Sequence, residues 1–195
     1  MQKMIKTDES SHKIITIPNL LSLFRLCLIP VILWLYLAEQ RNILAGSILI
    51  LSGITDIADG LIARHFHMIS DLGKVLDPVA DKLTQAAMLL CLLVRFPLMI
   101  LPLLLMACKE LFMAVSGALI IRRKRVVLGA VWHGKAATAC LYAMMLLHVF
   151  WNQIPPLLSA ISIIVCFLMV GLSFILYAVR NIKFLRRGEE QGEKT

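Results

Sequence analysis

The stretch "DIADGLIARHFHMISDLGKVLDPVADK", residues 56–82, places Asp56, Asp59, Asp77 and Asp81 in a chain that is otherwise strongly apolar. Positions three or four apart lie on the same face of an α-helix. The first two aspartates are three positions apart and the last two are four apart, so each pair can point in one direction. The stretch therefore predicts two helices, joined by a short loop, that direct their carboxylates at one point.

The composition of the chain is that of a membrane protein. Hydrophobic residues make up 59% of the sequence, the mean hydropathy is +0.84 and only 16% of the residues are charged. Soluble domains usually carry about 25% charged residues. Residues 1–13 of the N-terminal segment 1–18 are polar, and no small-residue cleavage site follows the first apolar run. We therefore expect that run to be a membrane span and not a secretory signal. We expect a single integral membrane domain over residues 1–195.

Apolar runs close to the ~20 residues that a membrane helix requires recur along the chain. They predict an all-α protein with six transmembrane helices at 19–38, 43–65, 75–94, 97–122, 134–151 and 156–180. The sixth helix is expected to continue as a polar helix into a flexible tail, 187–195. Lysine and arginine are concentrated on one side of these runs, so the positive-inside rule predicts that both termini and the aspartates are cytoplasmic.

Charge and cysteine usage exclude two other kinds of site. The net charge of +8 comes from basic residues at the ends of apolar runs, which is typical of cytoplasmic loops and argues against nucleic-acid binding. The five cysteines are isolated in apolar segments, without the spacing of a zinc site or a disulfide framework.

Carboxylates gathered at a membrane interface need a positive partner, because like charges held together repel each other and favour protonation. Oxygen-only ligands suit a hard divalent cation, so we expect one or two Mg²⁺ or Mn²⁺ ions. A simpler interpretation is that the aspartates cap helix ends or pair with Arg64, Lys74 and Lys82. Asp77, directly before Pro78, is typical of such a cap.

The pattern also matches a known signature. Read as D-x-x-D-G-x-x-A-R-x8-G-x-x-x-D-x-x-x-D, residues 56–81 resemble the CDP-alcohol phosphotransferase (CDP-alcohol phosphatidyltransferase) family at every specified position. The six-helix hydropathy pattern extends this resemblance to most of the chain. The opening "IPNLLSLFRLCLIP", residues 17–30, resembles that of bacterial phosphatidylglycerophosphate synthases.

The resemblance implies an enzyme of bacterial-type cell membranes, with a cytoplasmic active site, that moves a phosphatidyl group from CDP-diacylglycerol to an alcohol. It implies that Asp56, Asp59 and Asp77 bind the metal and that Asp81 is the general base and a further ligand. It also implies a homodimer. The residues expected near the CDP group of the donor are Asp59, Gly60, Arg64, Gly73 and, unless it is only a helix cap, Asn19. Arg25 could assist them.

The acceptor is predicted from basic residues elsewhere. "WHGKAAT", residues 132–138, resembles a Gly-Lys-x-x-Thr stretch of those synthases, which implies that Lys135 binds an acceptor phosphate. Lys109 lies mid-span beside Glu110, where those synthases usually have arginine. The simpler interpretation is a buried ion pair between the two residues. We expect Lys109 to face the acceptor instead, because adjacent helical residues point about 100° apart and pair poorly. Arg122 is a further candidate, or part of a patch that binds anionic lipid.

These features favour sn-glycerol 3-phosphate as the acceptor. Phosphatidylglycerol, serine or an inositol phosphate would use the same chemistry. A divalent-cation transporter is the alternative from another class, because acidic clusters also mark ion pathways. The absence of a second acidic cluster along the spans argues against it.

Overall fold

The structure is a computed structural model that describes residues 17–65, 71–124, 131–151 and 153–192. Several helical residues within these ranges are described by their backbone alone, including Asp59, Gly60 and Arg64. The described ranges contain α-helices, one short 3-10 turn at Pro97–Met99 and no strand. The helices are α1 (Ile17–Leu37), α2 (Asn42–His65), α3 (Asp71–Leu93), α4 (Ile100–Lys124), α5 (Trp132–Phe150) and α6 (Pro156–Gly192).

The observed helices coincide with the predicted apolar runs to within a few residues at most ends. Pro18 lies in the first turn of α1 and Pro156 begins α6, where the missing N–H of proline breaks no helical hydrogen bond. The largest difference is at the end of α6, which continues to Gly192 as the predicted polar extension. Most of the tail predicted to be flexible is therefore helical.

The start of α3 also differs, with a consequence for Asp77. The helix begins at Asp71, so Asp77 and Pro78 lie inside it. Asp77 is therefore not a helix cap, and its carboxylate is available for tertiary contacts.

The chain divides into two compact units, Met1–Cys91 and Leu92–Thr195. In the first unit α1 packs against α2, and a tight turn connects the two helices. Gln40 in that turn adopts a left-handed φ of 53°, and the Arg41 N–H donates to the Leu35 carbonyl at 2.9 Å. This reversal brings α2, with Asp56, alongside α1.

In the second unit α6 packs against both α4 and α5. Apolar side chains such as Ile120, Met145 and Ile163 are buried there. A polar contact also joins α4 to α6: the Asn181 amide donates to the Ser116 hydroxyl at 2.8 Å. An interior hydrogen bond of this kind fixes the register of α4 against α6.

Many large apolar side chains face outwards, including Leu20, Trp34, Leu104 and Leu168. Three helical segments are long and apolar enough, by length and composition, to cross a membrane: Asn19–Leu37, Pro97–Ile120 and Pro156–Leu185. A shorter apolar stretch covers Asn42–Asp56. All five cysteines are free thiols, and Cys91 and Cys166 are buried.

Candidate functional site

The site in the first unit is centred on Arg25 of α1, whose side chain is only 2% exposed. Its Nη1 donates to the Asp56 carboxylate on α2. Its Nη2 lies 3.6 Å from an Asp77 oxygen on α3. One guanidinium therefore contacts carboxylates from two different helices, so α2 and α3 each direct one aspartate at a common point.

Ser22 adds a second contact from α1 to this group. Its hydroxyl is buried and donates to the Asp77 carboxylate, and Arg25 Nη2 lies 3.5 Å from the same hydroxyl oxygen. Ser22 and Arg25 are three residues apart, so they lie on one face of α1. α1 thus fixes the orientation of Asp77 as well as balancing its charge.

Asp81 is held differently, by residues of its own helix. The Gln85 amide donates to both Asp81 oxygens, at 2.9 and 3.0 Å, and Gln85 is 1% exposed. Lys82 Nζ lies 3.3 Å from Asp81 Oδ2. Asp81 is also close enough to Asp56 for the two negative charges to act on each other.

These contacts modify the simpler interpretation of the aspartates. Asp81 does contact Lys82, but that residue is one of several partners. The main cation beside Asp56 and Asp77 is Arg25, which the sequence suggested only as an aid to donor binding. The signal that could have identified its role is an arginine inside an apolar span, where an ionisable group is costly without a partner.

The structure describes only some of the other residues that were predicted to bind the CDP group of the donor. The side chains of Asp59, Gly60 and Arg64 lie outside the described residues. Asn19 is buried on α1, three residues before Ser22, and Gly73 is buried near the start of α3. Asn19 and Gly73 therefore belong to the same unit as the carboxylates.

The described residues fit a divalent ion in charge and chemistry, although they do not form a finished metal site. Among the described side chains, no three acidic, histidine or cysteine groups converge closely enough to hold a metal. Asp56 and Asp77 nevertheless share a cation in Arg25, and 42% and 34% of their side chains are exposed, so both can be reached from outside. Carboxylate oxygens in this arrangement are the ligands that Mg²⁺ and Mn²⁺ prefer.

The three acceptor candidates lie in the second unit. Lys135 on α5 and Arg122 near the end of α4 are exposed. Lys109 on α4 is 7% exposed, and its Nζ lies 3.1 Å from Glu110 Oε1. The expectation that these adjacent residues would not pair was wrong, because a long, flexible lysine side chain can reach across the angle between them.

The family comparison extends this evidence to most of the chain. A model of the CDP-alcohol phosphatidyltransferase family matches residues 15–178. The chain belongs to this family. The matched range contains both units' main helices and every aspartate of the signature. With its three long apolar helices, this CDP-alcohol phosphatidyltransferase family member is an integral membrane protein.

Curated relatives of this family member carry two different names. A CDP-diacylglycerol–glycerol-3-phosphate 3-phosphatidyltransferase from Rickettsia bellii is 36% identical over 115 residues, which cover 58% of this chain and 59% of the relative. Its Rickettsia typhi counterpart is 35% identical over 103 residues, 52% of this chain and 57% of the relative. A cardiolipin synthase (CMP-forming) from Streptomyces coelicolor is 42% identical over 83 residues, 40% of this chain and 39% of the relative. The matches span less than two thirds of each of these relatives.

Proposed function

We propose that the protein transfers a phosphatidyl group from CDP-diacylglycerol to sn-glycerol 3-phosphate, giving phosphatidylglycerophosphate and CMP. The observation that carries this proposal is the convergence of Asp56 and Asp77 on one cation, with Asp81 held nearby by Gln85. Membership of the CDP-alcohol phosphatidyltransferase family supports it over a cation transporter.

Asp56, Asp59 and Asp77 would hold one or two Mg²⁺ or Mn²⁺ ions, with Asp81 as a further ligand. When bound, such ions supply charge neutralisation for the pyrophosphate of the donor. Asn19, Gly60, Arg64 and Gly73 would bind the CDP part of the donor. Arg25 would orient Asp56 and Asp77 and balance their charge, because it contacts both carboxylates.

In the reaction, Asp81 takes the proton from an acceptor hydroxyl. The hydroxyl oxygen attacks the phosphorus that carries the diacylglycerol, forming a new P–O bond. The bond from that phosphorus to the bridging pyrophosphate oxygen breaks, and CMP leaves with the bonding electron pair. Gln85 keeps both Asp81 oxygens in a fixed orientation for the proton transfer.

The acceptor phosphate would be bound by Lys135, Lys109 and Arg122. Lys135 and Arg122 have exposed positively charged side chains, whereas Lys109 forms an ion pair with Glu110. A phosphorylated alcohol is a better match for these groups than serine, because phosphate forms charge-assisted hydrogen bonds with lysine and arginine.

The membrane arrangement follows the sequence pattern. We propose that all six helices span the membrane, with both termini and the active site on the cytoplasmic side, and that the protein acts as a homodimer. Donor and product are lipids, and a site at the cytoplasmic interface gives a soluble acceptor access to them.

A second candidate is the formation of cardiolipin from phosphatidylglycerol and CDP-diacylglycerol. It is favoured by the 42% identity to the Streptomyces cardiolipin synthase. The two Rickettsia matches extend over more of the chain, 58% and 52% against 40%, and favour the glycerol 3-phosphate acceptor.

An acceptor screen tests both candidates. The purified protein in detergent with Mg²⁺ receives CDP-diacylglycerol and one acceptor at a time, and CMP release and lipid products are measured. We expect CMP and phosphatidylglycerophosphate with sn-glycerol 3-phosphate. Cardiolipin with phosphatidylglycerol would favour the second candidate, and no CMP with any alcohol would contradict the enzyme proposal.

A further inference from the structure

We propose that Tyr177 of α6 is a positioning residue that fixes the first turn of α5, and with it Lys135, for binding of the acceptor phosphate. This inference rests on the proposed function for the acceptor, but its structural part can be tested without activity. Tyr177 is 96 positions after Asp81, the last residue of the aspartate signature, so the signature itself gives no indication of this role.

The first observation is a hydrogen bond to the start of α5. The N–H of Val131, the residue just before the helix, donates to the Tyr177 hydroxyl oxygen at 3.0 Å. Tyr177 is buried, with 5% exposure. N–H groups at the start of a helix have no partner within it, so an acceptor supplied by another helix stabilises the helix end.

The second observation explains the glycine of the "WHGKAAT" stretch. A Cβ atom on Gly134 would lie 2.3 Å from the Tyr177 hydroxyl oxygen and 2.8 and 2.9 Å from two ring carbons. Any other residue at position 134 would push the ring away from Val131. Gly134 is therefore required by the approach of Tyr177.

The third observation is that the ring is held on two other sides. The His133 ring packs edge-on against it, with centroids 4.6 Å apart, and the Arg180 guanidinium lies 4.9 Å from the ring centroid. His133 Nδ1 also lies 3.4 Å from the hydroxyl of Ser173, one turn before Tyr177. The Tyr177 ring is thus packed in one place, and its hydroxyl position is fixed.

Lys135 follows Gly134 directly and is exposed, so its backbone is fixed by this packing while its side chain remains accessible. A lysine ammonium is a compact charge on a flexible stem, and the position of the backbone limits where it can reach. Holding the turn in advance lowers the ordering cost of binding. Tyr177 would thus increase affinity for the phosphorylated acceptor without touching it.

The kinetic test is Tyr177→Phe, which removes the hydroxyl and keeps the ring. We expect the KM for sn-glycerol 3-phosphate to rise by about 3- to 10-fold, the loss expected for one hydrogen bond. The kcat and the KM for CDP-diacylglycerol should stay within about twofold, since uniform acceptor binding is what is lost. Ser47→Ala, which removes an exposed hydroxyl on α2 that donates to the Ile43 carbonyl, is the control and should leave all three values unchanged.

A double substitution tests the packing. Gly134→Ala should raise the acceptor KM by itself, and Tyr177→Ala removes the ring atoms with which the new methyl group would collide. The effect of Gly134→Ala should therefore be smaller in the Tyr177→Ala background than in the wild type. Additive effects would overturn the claim that Gly134 serves the approach of Tyr177.

Amide hydrogen exchange separates this inference from the proposed function. In Tyr177→Phe, peptides that contain Val131 to Lys135 should exchange faster, whether or not the wild type releases CMP. Unchanged exchange there, an unchanged acceptor KM, or an equal rise in both substrate KM values would overturn the positioning role. Faster exchange in a protein that releases no CMP would uphold the contact and reject the proposed function instead.

Discussion

Asp81→Asn is expected to abolish turnover, lowering kcat for CMP release by about 10²- to 10⁴-fold, the usual contribution of a general base. The substitution keeps the size of the side chain and its ability to accept from the Gln85 amide. It removes the negative charge that takes the acceptor proton. The measurement is CMP release in detergent at saturating donor and acceptor with Mg²⁺.

The control for Asp81→Asn is Glu39→Gln, which makes the same chemical change in the turn between α1 and α2. Glu39 is exposed and lies 3.7 Å from the exposed Arg41, so this variant should turn over normally. Both variants should unfold at the temperature of the wild type. Near-normal turnover of Asp81→Asn would show that Asp81 is not the base.

Arg25→Met is expected to destabilise the metal-free protein by roughly 2–3 kcal/mol, because removing one partner leaves the other's charge unbalanced. Arg25 is the shared cation of Asp56 and Asp77, so its loss leaves two carboxylates facing each other without it. The measurement is the thermal unfolding midpoint in detergent with a chelator present.

Adding Mg²⁺ should restore much of this loss, since a divalent ion can neutralise the same two carboxylates and a ligand that binds only the folded state stabilises it. Arg41→Met is the control: it removes an arginine that is 62% exposed, and its unfolding midpoint should match the wild type under both conditions. An Arg25→Met midpoint that is equally low with and without Mg²⁺ would contradict the idea that ion and guanidinium serve the same carboxylates.

The helices could be predicted from the sequence because membrane helices are specified locally. A run of about 20 apolar residues satisfies its own backbone hydrogen bonds in a bilayer, so its length and ends are visible in the hydropathy pattern. The break at Pro155–Pro156 and the start of α1 near Pro18 followed from the chemistry of proline. The α3 start was less visible, because residues 71–74 include charged side chains.

The approach of Asp56 to Asp77 could also be predicted, because the helical spacing of each pair and the small number of residues between α2 and α3 in sequence constrain it. The side chains that contact these aspartates could not be predicted in the same way. Arg25 is 31 residues from Asp56 in sequence, so their ion pair depends on how α1 packs against α2. The contact between Gln85 and Asp81 was easier to predict, because Gln85 lies one turn after Asp81 on the same helix. Tyr177 and Gly134 are joined only by the packing of α6 on α5.

The most direct test of the central claim is Mn²⁺ binding to the purified protein, followed by electron paramagnetic resonance of the free ion. We predict that the wild type binds one or two Mn²⁺ ions and that Asp56→Asn and Asp77→Asn each weaken this binding at least tenfold, while Glu39→Gln does not. Mn²⁺ binding that is equally tight in all four proteins would contradict the proposal that these aspartates form the metal site.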